Sequence, residues 1–424
     1  MARDDLAFAA ILVGSVLVSA ALRYCPARIK ADAAALCGAL TILGACGPRN
    51  ALHPLTSIAL ALAAMHMSPP RYHKAAAFVL SFGYLSYVRL LPSSPGGPTN
   101  ACMLLMTLRL STAEAPSTAE LLRYVCCYHG LFTGPYYSHA EWDAAMRQSR
   151  PPHISSRALT KASFAAVGAL IFWRLVASQL PYRLVAAAPG GDDAARVDVW
   201  ITRVVPSLHD EAAFWTRLLY FYASSYQFRW RFYTCWLIMT ISATLLGFAE
   251  TSNVDLRATE LATSPSMYIT GWNTSVQRWL KDRVYRQLPQ RTPRAVRMLA
   301  TFAVSAVWHG VHLGYALFFA GLFVMVGVEQ MVRLAWGDEA AVGDGAGGGW
   351  RAGARRVVSH VWTMGCFSFY GGAFNLLGWR ETLHLWRALH FYGIWLAALP
   401  ALPAALRLWA RRRASEAAPK AKET

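Results

Sequence analysis

Two histidines lie in the apolar stretch TFAVSAVWHGVHLGYALFF, whose only other ionisable side chain belongs to a tyrosine. If this stretch, Thr301 to Phe319, forms one continuous helix, its non-aromatic polar side chains fall within an arc of about 80°: Thr301, Ser305, His309 and His312. Ionisable groups at membrane depth are costly and normally face a bundle interior or a water-filled cavity. The pattern therefore predicts a polar face that is turned inward.

Three roles are compatible with the pair His309 and His312. Both can be satisfied interior groups between helices, or they can be metal ligands one helical turn apart. Alternatively, a neutral His309 acts as a general base in a buried site, since histidine is the side chain poised near neutral pH. The next carboxylate along the chain is Glu329, so we predict no metal site. The stretch alone does not decide between the other two roles.

A basic amphipathic segment, GWNTSVQRWLKDRVYRQLPQR, lies upstream at Gly271 to Arg291. Its apolar side chains recur at helical spacing, opposite a polar face with several basic groups. A basic helix that also carries tryptophans is typical of a membrane surface. Asn273 stands where an N-cap is expected, so capping is its simplest interpretation.

These segments sit in a chain that is apolar almost throughout. It has 424 residues, of which 55% are hydrophobic and only 15% are charged. Several apolar runs reach the ~20 residues that cross a bilayer, and no alternation supports a barrel. We therefore predict an all-α polytopic membrane protein with about nine to eleven transmembrane helices plus re-entrant or amphipathic helices.

The net charge of +18 is concentrated in connecting segments and near the C-terminus. Basic loops tend to remain cytoplasmic, which places the C-terminus in the cytosol, and the charge suits anionic headgroups or a phosphate-bearing cosubstrate. The bilayer is the expected partner, and nothing indicates nucleic acid. Residues 1–413 form one predicted membrane domain with a flexible Gly/Ala-rich loop at 337–356, and residues 414–424 form a polar cytosolic tail.

Two motifs resemble the membrane-bound O-acyltransferase superfamily. They are Trp272-Asn273 followed by VQRWLKDRVYRQLP, and SAVWHGVHLGYALFF some thirty residues later. The resemblance implies a helical fold that encloses a central reaction chamber. It also implies that Asn273 and His309, which are 36 positions apart, are the paired active-site residues.

Two further stretches resemble the lysophospholipid acyltransferase branch. FRWRFYTCW, Phe228 to Trp236, is similar to its RxKYYxxW pattern, and HGLFTGPYYSHAEW, His129 to Trp142, is similar to its Gly-Pro-aromatic segment, closest to lysophosphatidylinositol-type members. Leu313 stands where that branch often has proline. The residue at the expected helix bend after WHG therefore differs in this chain.

The resemblance implies a fatty acyl-CoA donor, a lysophospholipid acceptor and no bound cofactor. Neutral His309 then deprotonates the acceptor hydroxyl, and Asn273 positions the acceptor or the thioester. Side chains that we expect to bind the phosphates of acyl-CoA are Arg278, Lys281, Arg229, Arg231 and Tyr233. Tyr136 and Tyr137 are expected at the acceptor entrance, and His312 is expected to orient His309.

Other interpretations remain open at this point. Ser305 lies one turn before His309 and could form an acyl-enzyme. The acceptor could be a sterol, a diacylglycerol or a protein, and a transporter also carries polar groups at mid-membrane. The last five residues, KAKET, are similar to the KxKxx retrieval signal, which predicts the endoplasmic reticulum membrane.

Overall fold

The computed structural model describes residues 2–91, 95–112, 117–148, 156–177, 212–249, 251–337 and 349–417. We number its α-helices in chain order: α1 (Ala2–Leu22), α2 (Ala27–Asn50), α3 (Leu52–Met67), α4 (His73–Leu90), α5 (Gly97–Leu110), α6 (Thr118–Val125), α7 (His139–Met146), α8 (Ser156–Ala177), α9 (Ala212–Leu246), α10 (Leu256–Glu260), α11 (Pro265–Gly271), α12 (Thr274–Leu280), α13 (Arg294–His309), α14 (Leu313–Trp336), α15 (Trp350–Leu376), α16 (Trp379–Ala388) and α17 (Tyr392–Ala417).

Helices account for all regular structure within those ranges, apart from one isolated bridge between Val254 and Trp272. A π-helical turn, Lys281–Tyr285, continues α12. The predicted all-α fold is confirmed. The KAKET tail and most of the 337–356 loop lie outside the described residues.

Several helices present apolar side chains to the outside, as expected of a protein that sits in lipid. By length and composition, three described segments can cross a bilayer, and they are Ala27–Asn50, Leu313–Trp336 and Tyr392–Ala414. Leu6–Leu22 and Leu52–Met67 are shorter apolar helices. These segments indicate a multi-pass membrane protein, and the number of nine to eleven spans stays a prediction.

Two large hydrophobic cores organise the helices. The first joins α1–α7 with the end of α9, and the second joins the start of α9, α11 and α14–α17. A smaller cluster packs Trp279 of α12 and Trp308 of α13 against α4 and α5. Because that cluster couples α12 to α13, it holds together the two helices that carry the predicted active-site pair.

The stretch expected to be one helix from Thr301 to Phe319 is broken in the middle. Helix α13 ends at His309, Gly310 is extended with φ 160° and ψ 179°, and α14 begins at Leu313. Glycine has a low helix propensity, which permits the break. The single polar face predicted for this stretch is therefore wrong beyond His309.

The break places His312 differently from the sequence expectation. His312 immediately precedes α14 and its side chain is exposed, so it does not share the inward face of α13. Leu313, which replaces the proline of related sequences, is the first residue of α14. Proline is tolerated at such a first helical position because its missing N–H has no intrahelical partner there. The new helix thus begins at Leu313 without a proline.

A fully buried arginine fixes the loop that carries the Gly-Pro-Tyr-Tyr sequence. The guanidinium of Arg109 donates hydrogen bonds to the carbonyls of Val125, Cys127 and His129 at 3.1, 2.8 and 2.5 Å. It also stacks on the ring of Tyr137, 4.4 Å from the ring centroid. A buried charge needs such partners, and here they tie the loop to α5.

Candidate active site

A chamber of about 140 Å³ lies between α9, α11, α12, α13, α14 and α15, and its wall contains both Asn273 and His309. Nine of the lining residues are aromatic: Phe228, Phe232, Trp236, Tyr268, Trp272, Phe318, Phe319, Phe367 and Phe374. Within the described residues, no cluster of three or more His, Cys, Asp or Glu side chains is arranged to hold a metal ion. The structure thus brings the predicted pair to one largely apolar cavity.

His309 is the last residue of α13, and aromatic rings hold its imidazole. Ring centroids of Phe374 and Phe319 lie 4.9 and 5.4 Å from it. The helix end is stabilised from outside the chamber, because Arg89 donates a hydrogen bond of 2.7 Å to the carbonyl oxygen of Trp308. A cation at a helix C-terminus complements its dipole. The imidazole is therefore fixed in position by packing.

Asn273 occupies the N-cap position of α12, as expected, but its side chain does not cap the helix. Its backbone is left-handed with φ 46° and ψ 55°, a conformation that asparagine tolerates better than most residues. The carboxamide oxygen accepts a hydrogen bond of 3.0 Å from Nδ2 of Asn253. The side chain is thereby released from the capping role and faces the chamber instead.

Arg229 reaches the chamber wall, but its charge is already compensated. Its guanidinium binds both carboxylate oxygens of Glu260 at 2.8 and 2.9 Å, and Tyr233 donates its hydroxyl to the same carboxylate at 2.5 Å. Arg229 and Tyr233 are buried. Arg231, two residues later, is exposed and lies outside the chamber wall. Phosphate binding by these three side chains stays a prediction, and the ion pair favours a structural role for Arg229.

Tyr136, Tyr137 and Arg278 line a second cavity, of about 300 Å³, instead of the chamber. Arg278 lies 3.5 Å from the carboxylate of Glu141, which also borders this cavity. Lys281 is exposed and belongs to neither wall. The structure does not bring these residues, or His312, to His309, and their expected roles are untested.

The two tyrosines are buried, and their hydroxyl groups are engaged within the protein. The hydroxyl of Tyr136 lies 2.9 Å from that of Thr112, and Tyr137 donates its hydroxyl to the carbonyl oxygen of His129 at 2.9 Å. Because both rings pack inward, they form a fixed wall of the second cavity.

Several polar residues near the predicted pair were missed in the sequence. Ser225, Ser368 and Asn375 line the chamber, and each has a buried oxygen that finds no hydrogen-bond partner among the described residues. Ser368 and Asn375 are seven residues apart on α15 and thus share a helix face, a signal that the sequence contained. Asn253, the hydrogen-bond donor to Asn273, stands in a short non-helical segment with no periodicity that could have identified it.

Comparisons with known proteins agree with this geometry. The sequence pattern of the membrane-bound O-acyltransferase (MBOAT) family matches residues 52–338, which is more than half of the chain. The chain is 24% identical to the membrane-bound acylglycerophosphatidylinositol O-acyltransferase MBOAT7 of Bos taurus, over 92% of this chain and 91% of that protein. It is 24% identical to MBOAT7 of Homo sapiens, over 96% and 95% respectively.

A plant protein shows a similar identity over a smaller share of the chain. The chain is 25% identical to lysophospholipid acyltransferase 1 of Arabidopsis thaliana, over 77% of this chain and 79% of that protein. A match of this kind favours an enzyme over the transporter alternative. With a family match across both Asn273 and His309, and with both residues in one chamber, this chain belongs to the membrane-bound O-acyltransferase family and is an acyltransferase.

Proposed function

We propose that the protein transfers a fatty acyl group from acyl-CoA to the free glycerol hydroxyl of a lysophospholipid, with lysophosphatidylinositol as the preferred acceptor. The observation that carries this proposal is that Asn273 and His309 line the same chamber. The names of the relatives support the choice of acceptor over a sterol, a diacylglycerol or a protein.

The chemistry needs one base and one polar group near the thioester. Neutral His309 takes the proton from the glycerol hydroxyl as the oxygen attacks the thioester carbonyl carbon. A carbon–oxygen bond forms, the carbon–sulfur bond breaks, and the CoA thiolate leaves and is protonated by the imidazolium. Asn273 positions the acceptor or the thioester through its carboxamide. Holding both reactants in one geometry supplies much of the rate.

The chamber suits the reacting ends of two amphipathic substrates. Its volume of about 140 Å³ accommodates a thioester and a glycerol hydroxyl, so the acyl chains and headgroups extend beyond it. The aromatic walls suit the adjoining methylene groups. The oxygens of Ser225, Ser368 and Asn375, which have no partner in the part of the chain that the structure describes, offer hydrogen bonds to the polar part of the acceptor.

We also propose that the C-terminus faces the cytosol, and the KxKxx-like tail is the feature that supports the endoplasmic reticulum membrane. Arg294, at the start of α13, donates a hydrogen bond of 2.7 Å to Gln330 near the end of α14. Arg411, near the end of α17, donates one of 3.1 Å to the carbonyl oxygen of Leu334. These helix ends therefore share one side, and basic residues concentrate on the cytosolic side of membrane proteins.

The decisive experiment incubates membranes that contain the full-length protein with labelled acyl-CoA and a panel of lysophospholipids. We expect diacyl product, greatest with lysophosphatidylinositol, and loss of that product in His309→Ala at equal expression. His66→Ala is the matched control, because that histidine is exposed near the end of α3 and lies outside the chamber. Full activity in His309→Ala would refute the assigned base, and no diacyl product from the wild type would refute the function.

A further inference from the structure

The buried residue Asn253 lies behind the candidate active site and contacts Asn273, which faces the chamber. We infer that Asn253 is a positioning residue that fixes Asn273 as a hydrogen-bond donor to the thioester carbonyl oxygen. This inference rests on the proposed acyl transfer. Of the two roles left open for Asn273, alignment of the acceptor and stabilisation of the developing oxyanion, it assigns the second.

The orientation of the Asn253 carboxamide follows from an unambiguous donor. The backbone N–H of Ser275 lies 3.0 Å from Oδ1 of Asn253, and the Ser275 hydroxyl lies 2.7 Å from the same atom. A backbone N–H can only donate, so the atom that faces it must be the carboxamide oxygen. The NH2 group of Asn253 therefore points the other way.

The NH2 group of Asn253 determines the orientation of the Asn273 carboxamide. Nδ2 of Asn253 lies 3.0 Å from the Asn273 carboxamide, and an NH2 group can bond only to its oxygen. Oδ1 of Asn273 is thus turned to Asn253, and its own NH2 group is the free end. A donor at this position stabilises negative charge on the carbonyl oxygen in the transition state. It cannot accept the proton of an acceptor hydroxyl.

The backbone prevents the two asparagines from separating. Asn253 is 1% exposed, and its carbonyl oxygen accepts a hydrogen bond of 3.0 Å from the N–H of Thr274. The next residue forms the isolated bridge with Trp272. Asn253 is therefore bonded to the segment 272–275 through both ends of its side chain and through its backbone. These bonds keep the Asn273 carboxamide away from the capping position.

The test measures kcat and KM of the full-length enzyme in membranes for Asn253→Asp. Aspartate keeps an acceptor for the Ser275 N–H but offers no donor to Asn273, and its charge attracts the NH2 group that should face the thioester. Loss of one oxyanion donor lowers kcat by about 10²–10³-fold, and we expect a large part of that loss with little change in either KM. Gln287→Glu is the matched control, since it makes the same amide-to-carboxylate change at an exposed side chain that donates to the carbonyl oxygen of Asp282 and lies outside both cavity walls.

A double-mutant cycle separates positioning from a general structural effect. If Asn253 acts through Asn273, Asn253→Asp adds nothing to the loss in Asn273→Ala, because the interaction is already absent. Additive losses, or a wild-type kcat in Asn253→Asp, would overturn the inference while the proposed function stands. An inactive wild type would instead contradict the proposed function.

A second measurement does not depend on turnover or on the acceptor. Acyl-CoA with a 13C-labelled thioester carbonyl is bound to the His309→Ala enzyme, and its infrared carbonyl stretch is recorded. A hydrogen bond from Asn273 lowers that frequency. We expect the shift to disappear when Asn273→Ala or Asn253→Asp is added and to remain with Gln287→Glu. A shift that survives Asn253→Asp would refute the positioning role.

Discussion

The imidazole of His309 lies edge to face with the ring of Phe374, with centroids 4.9 Å apart and planes at 78°. This contact connects α13 to α15 at the point where the proposed reaction occurs. Because packing holds the His309 imidazole in place, its orientation depends on the neighbouring ring of Phe374. The remote helix α15 is therefore part of the reaction geometry.

Replacing Phe374 with leucine removes that ring and frees the imidazole to rotate. We expect kcat to fall by about tenfold or more, because small misplacements of a catalytic group are costly. Phe369→Leu is the control, since Phe369 is buried on α15 but stacks on Trp386 outside the chamber. Equal losses of kcat in both variants, measured at matched expression, would contradict the role of the Phe374–His309 contact.

Ser305→Ala should retain activity close to the wild type. Ser305 is buried in the chamber wall one turn before His309, so its position alone does not exclude an acyl-enzyme. The proposed mechanism is direct transfer and needs no hydroxyl there. Product formation and the trapping of a hydroxylamine-sensitive acyl group are the two measurements. A trapped acyl group on Ser305, together with loss of activity in the variant, would replace the mechanism with a two-step one.

Asn375→Leu and Ser368→Ala should raise KM for the lysophospholipid and leave KM for acyl-CoA close to the wild type. Both remove an oxygen that has no partner within the described protein and faces the chamber. Thr363→Val is the matched control, because its buried hydroxyl on the same helix is also unpartnered but lies outside the chamber wall. A selective rise in KM for acyl-CoA would assign these groups to the donor.

Arg229→Met should lower stability more than it lowers acyl-CoA binding. It leaves the half-buried Glu260 carboxylate without its bidentate partner, and breaking such a pair costs up to about 3–5 kcal/mol when it is fully buried. Thermal unfolding in detergent measures the loss, and removal of both partners with apolar residues should be milder. If instead Arg229→Lys kept its stability and raised KM for acyl-CoA, the arginine would bind phosphate as first expected.

Gly314→Ala should destabilise the crossing of α14 and α15. A Cβ at Gly314 would lie 2.3 Å from the carbonyl oxygen of Ala373, next to Phe374. Overpacking of this kind costs about 1–3 kcal/mol, so we expect a lower unfolding temperature and reduced activity. Gly327→Ala on the same helix meets nothing within 4 Å and should be neutral or stabilising. Equal effects of the two variants would contradict the close approach.

The family resemblance carried the prediction of the active-site pair, but not of its surroundings. Asn273 and His309 stand in two separate motifs of that family, and the structure places both residues in one chamber. The break at Gly310 was missed because the apolar and polar periodicity continues through it as if the helix did. The identity of a single glycine outweighed that pattern.

Contacts between side chains that are far apart in the sequence could not be predicted from it. Arg229 belongs to a motif that suggested phosphate binding, but its partner Glu260 lies 31 residues away and faces it only after α9 and α10 pack together. The role of Asn253 likewise becomes visible only in the folded structure, where the bridge between Val254 and Trp272 brings it to Asn273. Local periodicity contains no information on which distant side chain satisfies a buried group.

The terminal position of His309 on α13 makes the residue count of that helix critical. One inserted or deleted residue between Arg294 and His309 would rotate the imidazole by about 100° around the helix axis and carry it off the chamber wall. Point substitutions on the outer face of α13 do not change the direction in which His309 projects from the helix axis. The segment should therefore tolerate changes of residue type in natural variants far better than changes of length.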